Sequence, residues 1–224
     1  MPELTQLAKC IDHTLLKPEA TRAEIDKLCQ EAIQYKFATV CVQPFRVAQA
    51  TELLLNSDVA VCTVVGFPLG AQRAEIKALE TVRAIADGAT EIDMVLNLGA
   101  LKDKNYAAVQ TDIEAVVKAS RGRPVKVILE TSLLSNEEII KSCELARDAG
   151  AQFVKTSTGF SSGGATVEAV QLMKQTVGDK MKIKASGGIR TREAVQSFLD
   201  AGADRIGTSA GVAICSGVGG GSGY

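Results

Sequence analysis

Short apolar runs alternate with longer amphipathic ones along almost the whole chain, and that alternation leaves few folds open. Runs that read as strands fall at 10–15, 39–42, 59–65, 91–96, 125–130, 153–156, 182–185 and 205–207. Helix-like segments lie between them, for example at 23–35, 74–86, 106–119, 137–148 and 192–199. Strands that alternate with helices imply a parallel sheet. Eight such units in 224 residues are close to what a (β/α)8 TIM barrel needs, about 250 residues in its usual form. The rival is an open doubly wound sheet. It usually carries fewer strands, and no Gly-x-Gly-x-x-Gly turn follows the first strand here.

An internal echo supports the barrel. Ala86-Asp87-Gly88-Ala89 precedes the fourth strand, Asp148-Ala149-Gly150-Ala151 the sixth and Asp200-Ala201-Gly202-Ala203 the eighth. Each reads as a helix that ends at a glycine cap and turns into a strand. No domain boundary is visible. Residues 1–216 read as one (β/α)8 domain, and 217–224 as a flexible glycine-rich tail.

The net charge is -1, so no basic field exists to hold nucleic acid or an anionic membrane. No apolar run approaches the ~20 residues needed to cross a bilayer. Charged residues precede any apolar run at the N-terminus, unlike a signal peptide. Six cysteines include no Cys-x-x-Cys pair, and Cys41 and Cys62 sit inside apolar runs as small core residues. A reducing, cytoplasmic setting is the expectation. His13 is the single histidine, which excludes multi-His metal sites. A Ser-His-Asp triad would have to use it, and no Gly-x-Ser-x-Gly elbow accompanies it.

Side chains alternate across a strand. In EIDMV, Glu91, Asp93 and Val95 share a face; in VKVILE, Lys126, Ile128 and Glu130 do; in KIKA, Lys182 and Lys184 do. Strands covered on both faces should read as near-continuous apolar runs. Here one face carries charge, and in a barrel that face points inward. Interior salt bridges would account for any one of these charges. The set points to function, because unpaired buried charge is costly and the charges gather toward strand C-terminal ends, the catalytic face of a barrel.

Two contexts stand out. In FVKTSTGF and KIKASGGIR, Lys155 and Lys184 each end an apolar strand just before a polar, glycine-marked turn. A lysine must be neutral to attack a carbonyl, and desolvation or a second cation achieves this. Neighbouring strands would bring these lysines to similar height, with Asp93 available to balance charge and move protons. Gly159, Gly163-Gly164, Gly187-Gly188 and Gly207 mark the loops after the last three strands. Such loops commonly form the phosphate site of a barrel. The residues alone therefore reach an enzyme acting through an imine on a phosphorylated carbonyl compound, without choosing the substrate.

Six segments carry a resemblance to a known family: IDHTLLKP at 11–18, TVCVQPFRV at 39–47, TVVGFPLG at 63–70, EIDMVLNLGALK at 91–102, FVKTSTGF at 153–160 and KASGGIRT at 184–191. In that order they resemble the deoxyribose-phosphate aldolases. The resemblance implies a class I aldolase that reversibly cleaves 2-deoxy-D-ribose 5-phosphate to acetaldehyde and D-glyceraldehyde 3-phosphate, with no metal and no cofactor beyond an imine on lysine. Lys155 matches the Schiff-base lysine. Lys184 matches the second lysine, whose charge in the family favours the neutral nucleophile. Asp93 matches the proton-transfer aspartate. Asp12 and Thr14 match residues lining the sugar site, and Thr156 joins them as a substrate-binding residue. Gly159, Gly187, Gly188 and Ser209 match the phosphate cup, with Ala210 standing where some members have a second serine. Tyr224 matches a terminal tyrosine that folds over the active site in many members. The partners implied are small phosphosugars and aldehydes, with a homodimer as the preferred assembly. Two other readings stay open: a different Schiff-base barrel of transaldolase type, and a phosphosugar-binding barrel without chemistry.

Overall fold

The computed structural model describes residues 4–216. In chain order the elements are α1 Leu4–Ala8, β1 Ile11–Leu15, α2 Arg22–Tyr35, β2 Thr39–Val42, α3 Val47–Leu54, β3 Ala60–Val65, α4 Ala74–Ala86 and β4 Glu91–Val95. They continue with α5 Leu98–Lys102, α6 Tyr106–Ala119, β5 Val125–Ile128, α7 Asn136–Asp148, β6 Phe153–Lys155, α8 Val167–Val177, β7 Lys182–Ser186, α9 Arg192–Asp200, β8 Arg205–Thr208 and α10 Gly211–Ser216. The strands close in sequence order into a barrel, and β8 pairs in parallel with β1. The expected TIM barrel is the fold found.

Most of the core lies outside the barrel wall. Ile92, Met94, Val125, Val127, Val154, Ile183 and Ile206 pack outward against helix residues such as Val109, Ile113, Val116 and Met173. A separate small cluster, Leu16, Cys41, Cys62 and Val64 with Phe67 against it, fills part of the interior. The polar inner face is therefore real, with one correction. Lys182 is exposed at the start of β7, its Nζ 5.8 Å from the Phe153 ring centroid. It shares a face with Lys184, but strand tilt leaves it at the rim rather than inside.

The glycine echo is a repeated helix stop. After α4, α7 and α9, Gly88, Gly150 and Gly202 take positive φ values of 107°, 85° and 107°. The next N–H then reaches back five residues: Ala89 to Ala84 O at 3.0 Å, Ala151 to Ala146 O at 3.0 Å and Ala203 to Phe198 O at 2.9 Å. This is the Schellman pattern, which satisfies carbonyls a helix end leaves orphaned.

Two links, one buried and one half-buried, tie α4 and α6 to the C-terminal ends of β3 and β4. Lys77 Nζ donates to Asp112 Oδ2 at 2.6 Å and to the Val95 carbonyl at 2.9 Å. Burial pushes Lys77 down and Asp112 up, each opposed by its partner's charge. The Gly66 N–H donates to Glu80 Oε2 at 2.7 Å. Strand ends that carry the inner charges are thus held from behind.

Candidate active site

The sheet register places the two singled-out lysines side by side: Lys155 of β6 is the Cα partner of Lys184 of β7. Both reach one carboxylate oxygen. Lys155 Nζ lies 2.8 Å and Lys184 Nζ 2.7 Å from Asp93 Oδ2. Asp93 gets there because it points inward from the middle of β4. Its other oxygen, Oδ1, accepts from Lys126 Nζ at 2.9 Å and from the Cys62 thiol at 3.1 Å. Asp12 adds a second carboxylate, with Oδ2 2.5 Å from Lys184 Nζ. Lys126 also meets Glu91 at 2.5 Å, and Arg205 contacts Asp12 and Glu91.

Burial opposes charge on Asp93, Asp12, Lys184 and Lys126, and the opposite charges around them prevail. Asp93 is held well below the ordinary carboxylate range, against its burial, by Lys126, Lys155 and Lys184. Asp12 is lowered in the same way, chiefly by Lys184 and Arg205 against its burial. Burial works against the charge on Lys184, yet Asp12 and Asp93 raise it above the ordinary lysine range. Lys126 is raised against its burial by Asp93 first. Lys184 and Lys126 are thus fixed cations.

Above this cluster opens a cavity of about 190 Å³ at the C-terminal mouth. Lys155 lines it, together with Thr14, Leu16, Gly159, Gly187, Gly188 and Ser209. Lys184, Asp93 and Asp12 lie beneath, fully buried. Three loops form the walls and are stitched to one another. The Ala165 N–H donates to Ser186 O at 3.1 Å and to Gly187 O at 3.2 Å. A Cβ on Gly164 would come within 2.3 Å of Gly187 O, so the loops approach at a distance that excludes a side chain there. Thr208 Oγ1 donates to Ile189 O at 2.6 Å.

The residues singled out from sequence therefore separate into groups. Lys155, Lys184, Asp93 and Asp12 come together, and Thr14 with the glycines and Ser209 forms the wall above. Thr156 does not join them. Its hydroxyl donates to Ser186 O at 3.0 Å and accepts from the Ser186 N–H at 3.0 Å, so it latches β6 to β7. Tyr224 lies outside the described residues. Sequence reasoning placed Lys126 and Glu91 on the inner face without assigning them to the site, and it missed Arg205. Lys126 carried the same signal as the other two, a lysine inside an apolar strand, but no glycine turn follows it. Glu130, also placed on the inner face from sequence, was likewise not assigned a role. It accepts hydrogen bonds from the Thr158 N–H at 3.2 Å and from the Thr158 hydroxyl, and so anchors the loop after Lys155.

Comparison with known proteins agrees with this geometry. A family model described as DeoC/LacD family aldolase matches residues 6–217. The chain is 59% identical over 213 residues to a deoxyribose-phosphate aldolase of Clostridium perfringens, covering 95% of each. It is 60% identical over 212 residues to one of Streptococcus sanguinis, covering 95% of this chain and 96% of that one. Among solved structures, the tetrameric deoxyribose phosphate aldolase of Aeropyrum pernix superposes with a TM-score of 0.90 at 35% identity, covering 96% of this chain and 92% of that one.

Proposed function

The chain belongs to the DeoC/LacD family of aldolases, carbon–carbon lyases, and on that premise we propose that it reversibly cleaves 2-deoxy-D-ribose 5-phosphate to acetaldehyde and D-glyceraldehyde 3-phosphate through an imine on Lys155. One observation carries the choice of nucleophile. Of the two adjacent lysines, Lys155 lines the cavity, while Lys184 lies beneath it between Asp12 and Asp93. Charge balance supports the same assignment. With Lys126, Lys184 and Arg205 charged, the carboxylates of Asp12, Glu91 and Asp93 are already matched. A neutral Lys155 then leaves none of these six charges uncompensated.

The neutral amine attacks C1 of the open-chain sugar, water leaves, and the protonated imine becomes the electron sink. No metal is required for that step. The C3 hydroxyl loses its proton toward the Asp93–Lys184 pair as the C2–C3 bond breaks, and glyceraldehyde 3-phosphate departs. The enamine left behind takes a proton at its terminal carbon, and hydrolysis frees acetaldehyde and Lys155. The phosphate sits in the cup of Gly159, Gly187, Gly188 and Ser209, where backbone N–H groups can approach it closely. A homodimer is the proposed assembly. Its support is an apolar row on α4, Ile76, Leu79 and Val82, with Leu69 before it and Leu53 and Leu55 at the end of α3, all exposed.

Borohydride reduction in the presence of acetaldehyde, followed by peptide mass mapping, tests the chemistry. An ethyl group on Lys155 is the expected product, with turnover nearly abolished in Lys155→Ala. A label on Lys184 exchanges the roles of the two lysines. Trapping of a ketose donor in place of acetaldehyde points to transaldolase-type chemistry. Binding of the sugar phosphate with no label leaves a barrel that binds and does not react.

A further inference from the structure

Two thiols that the aldol chemistry does not use lie against its central carboxylate. Cys41 of β2 and Cys62 of β3 are direct Cα partners, and both point into the barrel. Both sulfurs and a carboxylate oxygen of Asp93 lie within 4.8 Å of one another, and all three residues are fully buried. Cys62 Sγ is 3.1 Å from Asp93 Oδ1. A tetrahedral ion bonded to sulfur at about 2.3 Å and to oxygen at about 2.0 Å needs an S···O separation of roughly 3.5 Å. One donor pair is already closer than that and the others are at most 4.8 Å apart, so side-chain adjustment on fixed strands brings the three donors to chelating distance.

We propose that Cys41, Cys62 and Asp93 form an inhibitory site for a thiophilic divalent ion such as Zn²⁺ or Cd²⁺. Two sulfurs on one centre select soft or borderline ions over Mg²⁺ and Ca²⁺. A second grouping, Asp12, Cys62 and Glu91, offers one sulfur, and both of its carboxylates are already engaged by Arg205. Binding exchanges protons for metal: the divalent ion joins two thiolates, and two thiol protons pass to solvent. The resulting centre, with Asp93, carries one negative charge. Lys126 lies 3.4 Å from Cys62 Sγ, and Lys184 stands at Asp93 Oδ2, so two cations already flank it. The hydrogen bond with Cys62 and, against burial, the charge of Lys184 hold the Cys41 thiol below its usual range. Burial, the same hydrogen bond and the Asp93 charge hold the Cys62 thiol well above its usual range, so its proton is the one the metal must displace.

Inhibition follows from which oxygen is used. The metal takes Oδ1 and displaces Lys126 from it, while Oδ2 still faces the two lysines. Its charge then removes the basicity Asp93 needs to move a proton. Metal binding stands independently of the proposed reaction; only its inhibitory effect rests on that reading.

Titration of the full chain with CdCl2, followed by the ultraviolet thiolate-to-cadmium absorption and by turnover in parallel, tests this. One equivalent is expected to raise the absorption and abolish turnover together, and a chelator should reverse both. Cys41→Ala is expected to turn over normally in metal-free buffer and to weaken cadmium binding by about tenfold or more, at least the loss typical of a disturbed outer ligand shell. Cys41→Val preserves more volume and serves if the alanine variant does not fold. The absorption lost in the variant, in protein that never turned over the sugar, keeps the metal site and rejects the reaction. Absorption and inhibition unchanged in the Cys41 variants place the metal elsewhere, for example at half-buried Cys10, and overturn the proposal. So does the lack of any absorption change with equimolar cadmium.

Discussion

Asp93 is buried with three lysine side chains around one carboxylate, and this governs how the protein meets acid. Its folded pKa lies well below the ordinary aspartate value of about 3.9, as does that of Asp12. Between the folded and ordinary values the unfolded chain binds protons that the folded chain does not, so stability falls as pH falls. The contribution is complete above about pH 4 and drains away below it. Asp93→Asn removes that titration. The variant is expected to lose about 3–5 kcal/mol at neutral pH, as when one partner of a buried pair is removed, and to show a shallower acid limb. Urea unfolding followed from neutral pH down into the acid range checks this; parallel curves for the two proteins contradict it. Single residues of this kind were legible because a charge inside an apolar strand is conspicuous. Lys126 shows the limit. Its neighbours Val125 and Val127 mark it as clearly as those of Lys155, but its partner Asp93 is far away in sequence, and only the β4–β5 register joins them.

At the scale of elements, the three Asp-Ala-Gly-Ala or Ala-Asp-Gly-Ala stops share one hydrogen-bond pattern but not one environment. A Cβ on Gly150 would meet nothing closer than Val117 at 3.7 Å, whereas on Gly88 it would fall 2.4 Å from Thr51 of α3. Gly150→Ala is expected to cost about 1–2 kcal/mol, the penalty of a left-handed backbone for an L-residue. Gly88→Ala should cost distinctly more, because α3 and α4 must also move apart. Chemical denaturation of both variants measures the difference, and equal losses would show that the Thr51 contact is soft. Helix stops were readable because glycine announces them. The end of β5 was not. The strand was expected to run through residue 130, yet it stops at Ile128, and Glu130 takes a left-handed φ of 57° without being glycine. What holds Glu130 there is Thr158 in another loop, a tertiary bond with no local signature.

For the molecule as a whole, alternation of strand and helix was enough to specify a closed eight-stranded barrel, because few other architectures bury eight parallel strands on both faces. Depth within the barrel was not readable. The two-residue period says which face a side chain takes, and it put Lys182 with Lys184; strand tilt and stagger decide which of the two is inside. The apolar row on α4 belongs to this scale as well. Leu79→Lys is expected to convert the proposed dimer to a monomer in sedimentation equilibrium with turnover largely retained, and a wild-type chain already monomeric would sink the assembly. One more consequence follows from the carboxylates inside the wall. Arg205 and Glu91 are slightly exposed at the start of their strands, on the underside of the barrel. Arg205 grips Asp12, Asp12 grips Lys184, and Lys184 grips Asp93. The underside is thus wired to the mouth. Chemistry in the pocket can be tuned from a surface that no substrate ever touches, by changing a residue on the opposite end of the molecule.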